Sequence, residues 1–210
     1  MAIETNRQPM WGVLGIIALF AVVIWLGLRV RKAQMSRNLR MSAQEVWAPF
    51  AHSRLERDAL LYGVRQDRSM LDIEMLVRDS KDEEVGRVVW HGGTRREALT
   101  ISTGAASFTA DILPTMKMRA ALHSANDASD TLCTFERSWT GTHRFHVTGA
   151  GTLESRRRKR LSLAPISDFT LDSVPVGASQ HIGGAIDRGV LLILPPSIPL
   201  HVRMFILALQ

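Results

Sequence analysis

Three hydrophobic patterns succeed one another along the chain. Trp11 to Leu28 (WGVLGIIALFAVVIWLGL) is an uncharged apolar run. As a helix rising ~1.5 Å per residue it would cover roughly 27 Å, close to the hydrocarbon thickness of a bilayer. From Ser69 the period becomes two. Leu71, Ile73, Met75 and Val77 alternate with Asp72, Glu74, Leu76 and Arg78, which predicts a half-buried strand. Asp79-Ser80-Lys81-Asp82-Glu83 predicts a polar turn, and residues 85–90 a second strand, so the pair reads as a hairpin. After His91-Gly92-Gly93, strand character resumes at 97–102. Similar runs follow at 106–112, 116–122, 131–137, 143–148, 158–163 and 168–173, separated by turn clusters such as Ser124-Ala125-Asn126-Asp127 and Thr148-Gly149-Ala150-Gly151. No long stretch of helical period interrupts residues 69–173, which argues against α/β alternation and for an antiparallel sandwich or barrel.

The third pattern is apolar on every face. Val190 to Leu194 is closed by Pro195-Pro196, and Ile198 to Leu209 is apolar apart from His201 and Arg203. Ser197 could cap this helix, with Pro199 in its first turn. About twelve residues span roughly 18 Å, too short for a bilayer, and a helix apolar all round belongs inside a core. The fold expected is mainly β: a closed antiparallel barrel around a hydrophobic C-terminal helix, preceded by one N-terminal transmembrane helix. Its divisions are a short external tail at 1–10, an anchor at 11–28, a basic juxtamembrane connector at 29–60 and the barrel at 61–210. In the connector, Ser42-Ala43-Gln44-Glu45 has capping-box spacing, and Pro49 divides the helix expected over 43–61 into two short pieces.

Charge orients this picture. Arg29, Arg31, Lys32, Arg37 and Arg40 follow the apolar run, and no small-residue cleavage site does, so the run reads as an uncleaved anchor rather than a signal peptide. By the positive-inside rule the N-terminus lies outside and the main domain in the cytoplasm, with Trp11 and Trp25 at the interfaces. A second block, Arg156-Arg157-Arg158-Lys159-Arg160, holds five more cations. Without these ten, the remaining 16 Lys and Arg face 20 Asp and Glu, a balance of −4. The basicity is therefore local, unlike that of a general nucleic-acid coat.

The tail IDRGVLLILPPSIPLHVRMFILAL resembles the end of tubby-like domains, the group of tubby C-terminal domains, phospholipid scramblases and LURP-one-related proteins. Pro199 to Met204 is similar to the entry of the central helix in the scramblase branch, and IEMLVRDSKDEEVGRV (73–88) to the opening of the LURP-one branch. The resemblance implies a closed barrel around a C-terminal helix. It does not extend to a cysteine-rich palmitoylation segment, a proline-rich head, an acidic calcium segment or a matching phosphoinositide pocket.

The run Arg156 to Arg160 is the leading binding candidate. Each cation near an anionic leaflet contributes ~1 kcal/mol, so five would hold a tethered domain against lipid headgroups. Otherwise the run is a solvated edge that blocks aggregation. No aromatics are interleaved for base stacking, which argues against nucleic acid. His143 and His146 are three apart, so on a strand they face opposite ways and do not form a metal site; Cys133 reads as a small buried hydrophobe. Gly92-Gly93 and Gly183-Gly184 lack phosphate-loop context, and no nucleophile elbow appears. The expectation is a non-enzymatic, membrane-tethered binding module for anionic lipid or a membrane partner, with no cofactor. The alternatives are an assembly subunit of a membrane complex and a scramblase-like lipid-handling protein.

Overall fold

A computed structural model describes residues 10–38, 42–52, 54–67, 72–92, 97–113, 118–138, 141–158, 166–182 and 189–210. Among these residues twelve strands form one closed antiparallel barrel in which every neighbour in space is a neighbour in sequence, except where β1 meets β12. The strands are β1 (Leu60–Asp67), β2 (Asp72–Asp79), β3 (Glu84–His91), β4 (Glu97–Thr103), β5 (Ser107–Leu113), β6 (Arg119–Ser124), β7 (Asp127–Arg137), β8 (His143–Val147), β9 (Gly151–Arg157), β10 (Ile166–Leu171), β11 (Val174–Ile182) and β12 (Gly189–Ile193). Closure pairs Leu61 with Leu192 and Gly63 with Val190.

The last helix, α3 (Leu200–Ala208), runs inside the barrel. Val202, Met204, Phe205, Ile206 and Leu207 share one core with inward side chains from every strand, among them Val77, Leu99, Phe145 and Phe169. Burying each large apolar side chain contributes about 1.5–3 kcal/mol, and α3 does so around its whole circumference. The strands make room with glycine. A Cβ on Gly63 would lie 2.9 Å from Leu207 Cδ2, and one on Gly86 would lie 2.6 Å from Met204 Cε. Pro199 precedes the helix without a side-chain cap; Ser197 instead lies in the turn closed by Ile198 N–H donating to the Pro195 carbonyl.

A second, outer core explains the two strands that lack alternation. Leu60, Tyr62 and Val64 of β1 and Leu191 and Ile193 of β12 face outward and are covered by Val46 and Phe50. These come from α2 (Ala43–Trp47), whose capping box is formed as predicted by Ser42 and Glu45, and from a 3-10 turn at Ala48–Phe50. The helix expected over 43–61 is thus only these pieces and a 3-10 turn at Arg57–Ala59; β1 already begins at Leu60.

Helix α1 (Met10–Asn38) includes the apolar run. Its side chains are described at residues 14–30 and at Ala33, and all are exposed except Gly27, which is half-buried. Among the described residues no helix is long and apolar enough to cross a membrane.

Candidate functional site

Strand alternation carries cations into one end of the barrel. On β1 the inward series Leu61, Gly63 continues to Arg65. On β7 Cys133 and Phe135 continue to Arg137, on β9 Leu153 and Ser155 to Arg157, and on β11 Gly177 and Ser179 to His181. These strand ends meet one rim: Arg137 pairs with His143 in register, His143 with Ser155, and Arg157 with Ser167. The end of α3 reaches the same rim, where Ser179 Oγ donates to Gln210 Oε1 at 3.1 Å. A cavity of about 170 Å³ lies there, between Arg65, Arg137, His181 and Gln210 on its polar side and Trp90, Met118 and Leu209 on its apolar side. The Arg65 guanidinium sits 5.1 Å over the Trp90 ring, a cation–π contact that fixes its plane.

The titratable side chains described along the cavity are arginine and histidine. Burial, then the like charges of Arg137 and Arg157, push His143 down to about 4, so it is neutral at physiological pH. Its Nδ1 is buried without a hydrogen-bond partner, and its ring stands edge-on to Phe135 at 5.5 Å. Among the described residues lining the cavity there is no Asp or Glu side chain. Arginines in a partly dry site present planar forks suited to carboxylate or phosphate.

The basic run divides at this rim. Arg156 faces outward and pairs with Glu154 at 3.3 Å, and Arg158 clamps Asp168 with Nε and Nη2 at 2.7–2.9 Å. Arg157, between them in sequence, follows the inward parity toward His143. The strand predicted at 158–163 is displaced: β9 ends at Arg157, and Lys159 and Arg160 lie outside the described residues. Of the first basic block, Arg29 stacks on Trp25 at 4.7 Å; Arg31, Lys32 and Arg37 lie in α1 with side chains outside the description, and Arg40 lies outside it entirely. The two blocks are not brought together by any described contact.

The remaining candidates separate as strand geometry requires. His143 faces in, whereas His146 faces out and pairs with Thr152 at 2.9 Å. Cys133 is fully buried, and desolvation raises its thiol to about 12, which leaves it inert. Among the described residues no three His, Cys, Asp or Glu side chains gather as a metal ion needs. The acidic turn at 79–83 is built by its own carboxylates, with Asp79 accepting from the Lys81 and Glu83 N–H groups and Asp82 pairing with Arg78.

Sequence reasoning missed Arg65, Trp90, Arg137, His181 and Gln210. The available signal was parity: a cation or histidine closing an otherwise apolar or small inward series at a strand end. No family model, curated protein or solved structure matches the chain.

Proposed function

We propose that this protein is a membrane-tethered, non-enzymatic binding module, with residues 11–28 as the anchor and the barrel at the cytoplasmic leaflet, where its cations meet anionic headgroups. One observation carries the reading: from Leu14 to Val30, α1 exposes large apolar side chains on all faces, Phe20 at 64% and Trp25 at 55%, while contributing none to either core. An unbroken apolar surface of that kind needs a nonaqueous environment. The cations that follow it set the orientation. The barrel's architecture is that expected of a tubby-like domain, and this agreement supports extending the resemblance to the fold.

Lipid contact is assigned to Arg157, Lys159 and Arg160 rather than to all five cations, because Arg156 and Arg158 already hold carboxylates. Both cores form without α1, so residues 42–210 suit a flotation assay. They should float with anionic vesicles, ignore neutral ones and release as salt rises. Replacing Arg157, Lys159 and Arg160 with Gln should abolish flotation. Flotation independent of vesicle charge would refute the lipid contact and leave an assembly subunit, held through α1, as the better account.

A further inference from the structure

A groove of about 510 Å³ separates the connector from the outer wall of the barrel. Arg54 and Glu56 stand on its connector side, and Arg158 and Asp168 on the other. Its floor includes Ala178 of β11 and Ile193 of β12, which are paired in register. We propose that this groove holds one zwitterionic phospholipid of the leaflet, its phosphate on Arg54, its ammonium on Glu56 and the start of an acyl chain along the floor. The volume falls within the ~300–1,000 Å³ of small-molecule sites. The leaflet as the source rests on the tethering proposed above; the groove's choice of head and tail does not.

Charge selects the head. Arg158 holds both oxygens of Asp168 at 2.7–2.9 Å, so that pair presents no net charge. Arg54 and Glu56 are exposed, opposite in sign and two residues apart, and neither has a hydrogen-bond or ion-pair partner among the described residues. A bare anion drawn to Arg54 meets the Glu56 carboxylate, and a bare cation meets the converse, whereas a zwitterion answers both. Apolar surface selects the tail. Leu55, Ala59, Ala178, Ile193 and Pro195 line the groove, a surface that a wholly polar solute leaves unused. Beside Pro175, another lining residue, Val174 is 62% exposed, more than any other large apolar side chain described outside α1. That strip extends the apolar path beyond the groove. Position selects a lipid: the connector is the segment that leaves α1, and Arg158 belongs to the basic run that faces headgroups in the proposed function.

The test uses the full chain in nanodiscs of digalactosyldiacylglycerol, an uncharged lipid that supplies neither half of the head. Hexylphosphocholine should raise the barrel's melting temperature in a saturable way, and phosphocholine without the chain should do nothing. Hexyl phosphate and hexyltrimethylammonium should each need roughly tenfold more or above for the same shift, the loss due to one charge-assisted contact. Arg54→Gln should weaken hexylphosphocholine and hexyl phosphate by a similar factor and leave hexyltrimethylammonium no weaker; Glu56→Gln should do the converse. Arg57→Gln, on the same connector but outside the groove lining, should change nothing. All three side chains are exposed, so the variants keep the barrel, which the ligand-free melt verifies. For the source, phosphatidylethanolamine is added to the nanodiscs, and native mass spectrometry of the released chain should find one molecule retained, absent from the Arg54→Gln, Glu56→Gln double variant. The proposal is overturned if hexylphosphocholine gives no saturable shift, if either singly charged probe matches it, or if Arg57→Gln acts as Arg54→Gln does. Binding of the soluble probe with no phosphatidylethanolamine retained overturns the lipid as occupant. A charge-independent result in the flotation assay, with the probe and the retained lipid as expected, refutes the proposed contact of the basic run and leaves this site standing.

Discussion

Two helices of this chain carry long apolar runs, and the structure encloses one of them and exposes the other. Helix α3 is enclosed by twelve strands, with Met204, Phe205, Ile206 and Leu207 fully buried, while α1 exposes every described large apolar side chain it has. Apolarity all round therefore does not by itself specify a place. Length and neighbours decide. The nine residues of α3 fit the barrel's interior, whereas α1 runs for 29 and has basic residues where its apolar run stops. A barrel with glycines at Gly63 and Gly86 is shaped for the first, whereas the described side chains of the second join neither core.

The comparison breaks most sharply under matched carboxylates. Phe205→Asp or Met204→Asp leaves an unpaired charge in the barrel, costs several kcal/mol and should abolish cooperative melting of the domain. Val22→Asp with Ile24→Asp in α1 should leave the barrel's melting temperature unchanged and, under the anchoring proposed above, release the protein from membranes. A barrel that survives Phe205→Asp would mean that α3 is not its core.

A subtler probe is acid. His143 is held near 4 in the folded barrel against ~6.5 unfolded, so between these values the unfolded chain binds more protons. Stability from this group is complete above about pH 6.5 and falls as pH drops toward 4, by at most ~3 kcal/mol. Chemical denaturation at pH 7 and pH 4.5 should show that loss, and His143→Phe should flatten the slope. A slope that persists in the variant places the titration elsewhere.

Smaller effects test the fit of α3. Gly86→Ala pushes a methyl against Met204 and the Ser102 carbonyl and should cost about 1–3 kcal/mol. Arg203, half-buried beside the core with Nε unpartnered and its guanidinium depressed by desolvation, should be replaceable by Met with a gain of roughly 1 kcal/mol in a thermal melt. Smallest of all is Arg158→Gln. An exposed pair with Asp168 contributes about 0–1 kcal/mol, so a large loss would show that the basic run is structural.

The sequence was readable where one face met the core and the other met water. Strands β2 to β5, β7 and β8 alternate, and the polar turn at 79–83 joins β2 to β3 as expected. Four strands escaped, β12 because it is apolar on both faces, with Val190 and Leu192 in the inner core and Leu191 and Ile193 in the outer one, and the other three each for its own physical reason. The connector covers the outer face of β1, so LLYGVRQD shows no alternation. In β9 only Leu153 is apolar, because its other inward positions are Ser155 and Arg157. In β11 the inward places are taken by Gly177 and Ser179, and a Cβ at Gly177 would collide with the Ile193 carbonyl. The rim site was illegible for the same reason, since its residues occupy core parity with polar side chains. The basic run was visible, but its division into two paired arginines and one inward one depends on Glu154 and Asp168, which only the strand register brings near.

The closure between β1 and β12 has a temporal side. Leu61 must wait for Leu192, and α3 follows in chain order all the strands that enclose it. At ~5–20 residues per second of synthesis, the early hairpins spend many seconds outside the ribosome without the core they are to surround. Pairing so distant in sequence is slow to form, and until it forms the sheet has two open edges and an apolar concave face. Folding is therefore deferred until α3 has been synthesised, when one helix completes the core and closure of β1 on β12 removes the edges. A chain released before residue 200 has no smaller barrel to settle into, so it is a substrate for chaperones and proteases rather than a shorter version of the same protein.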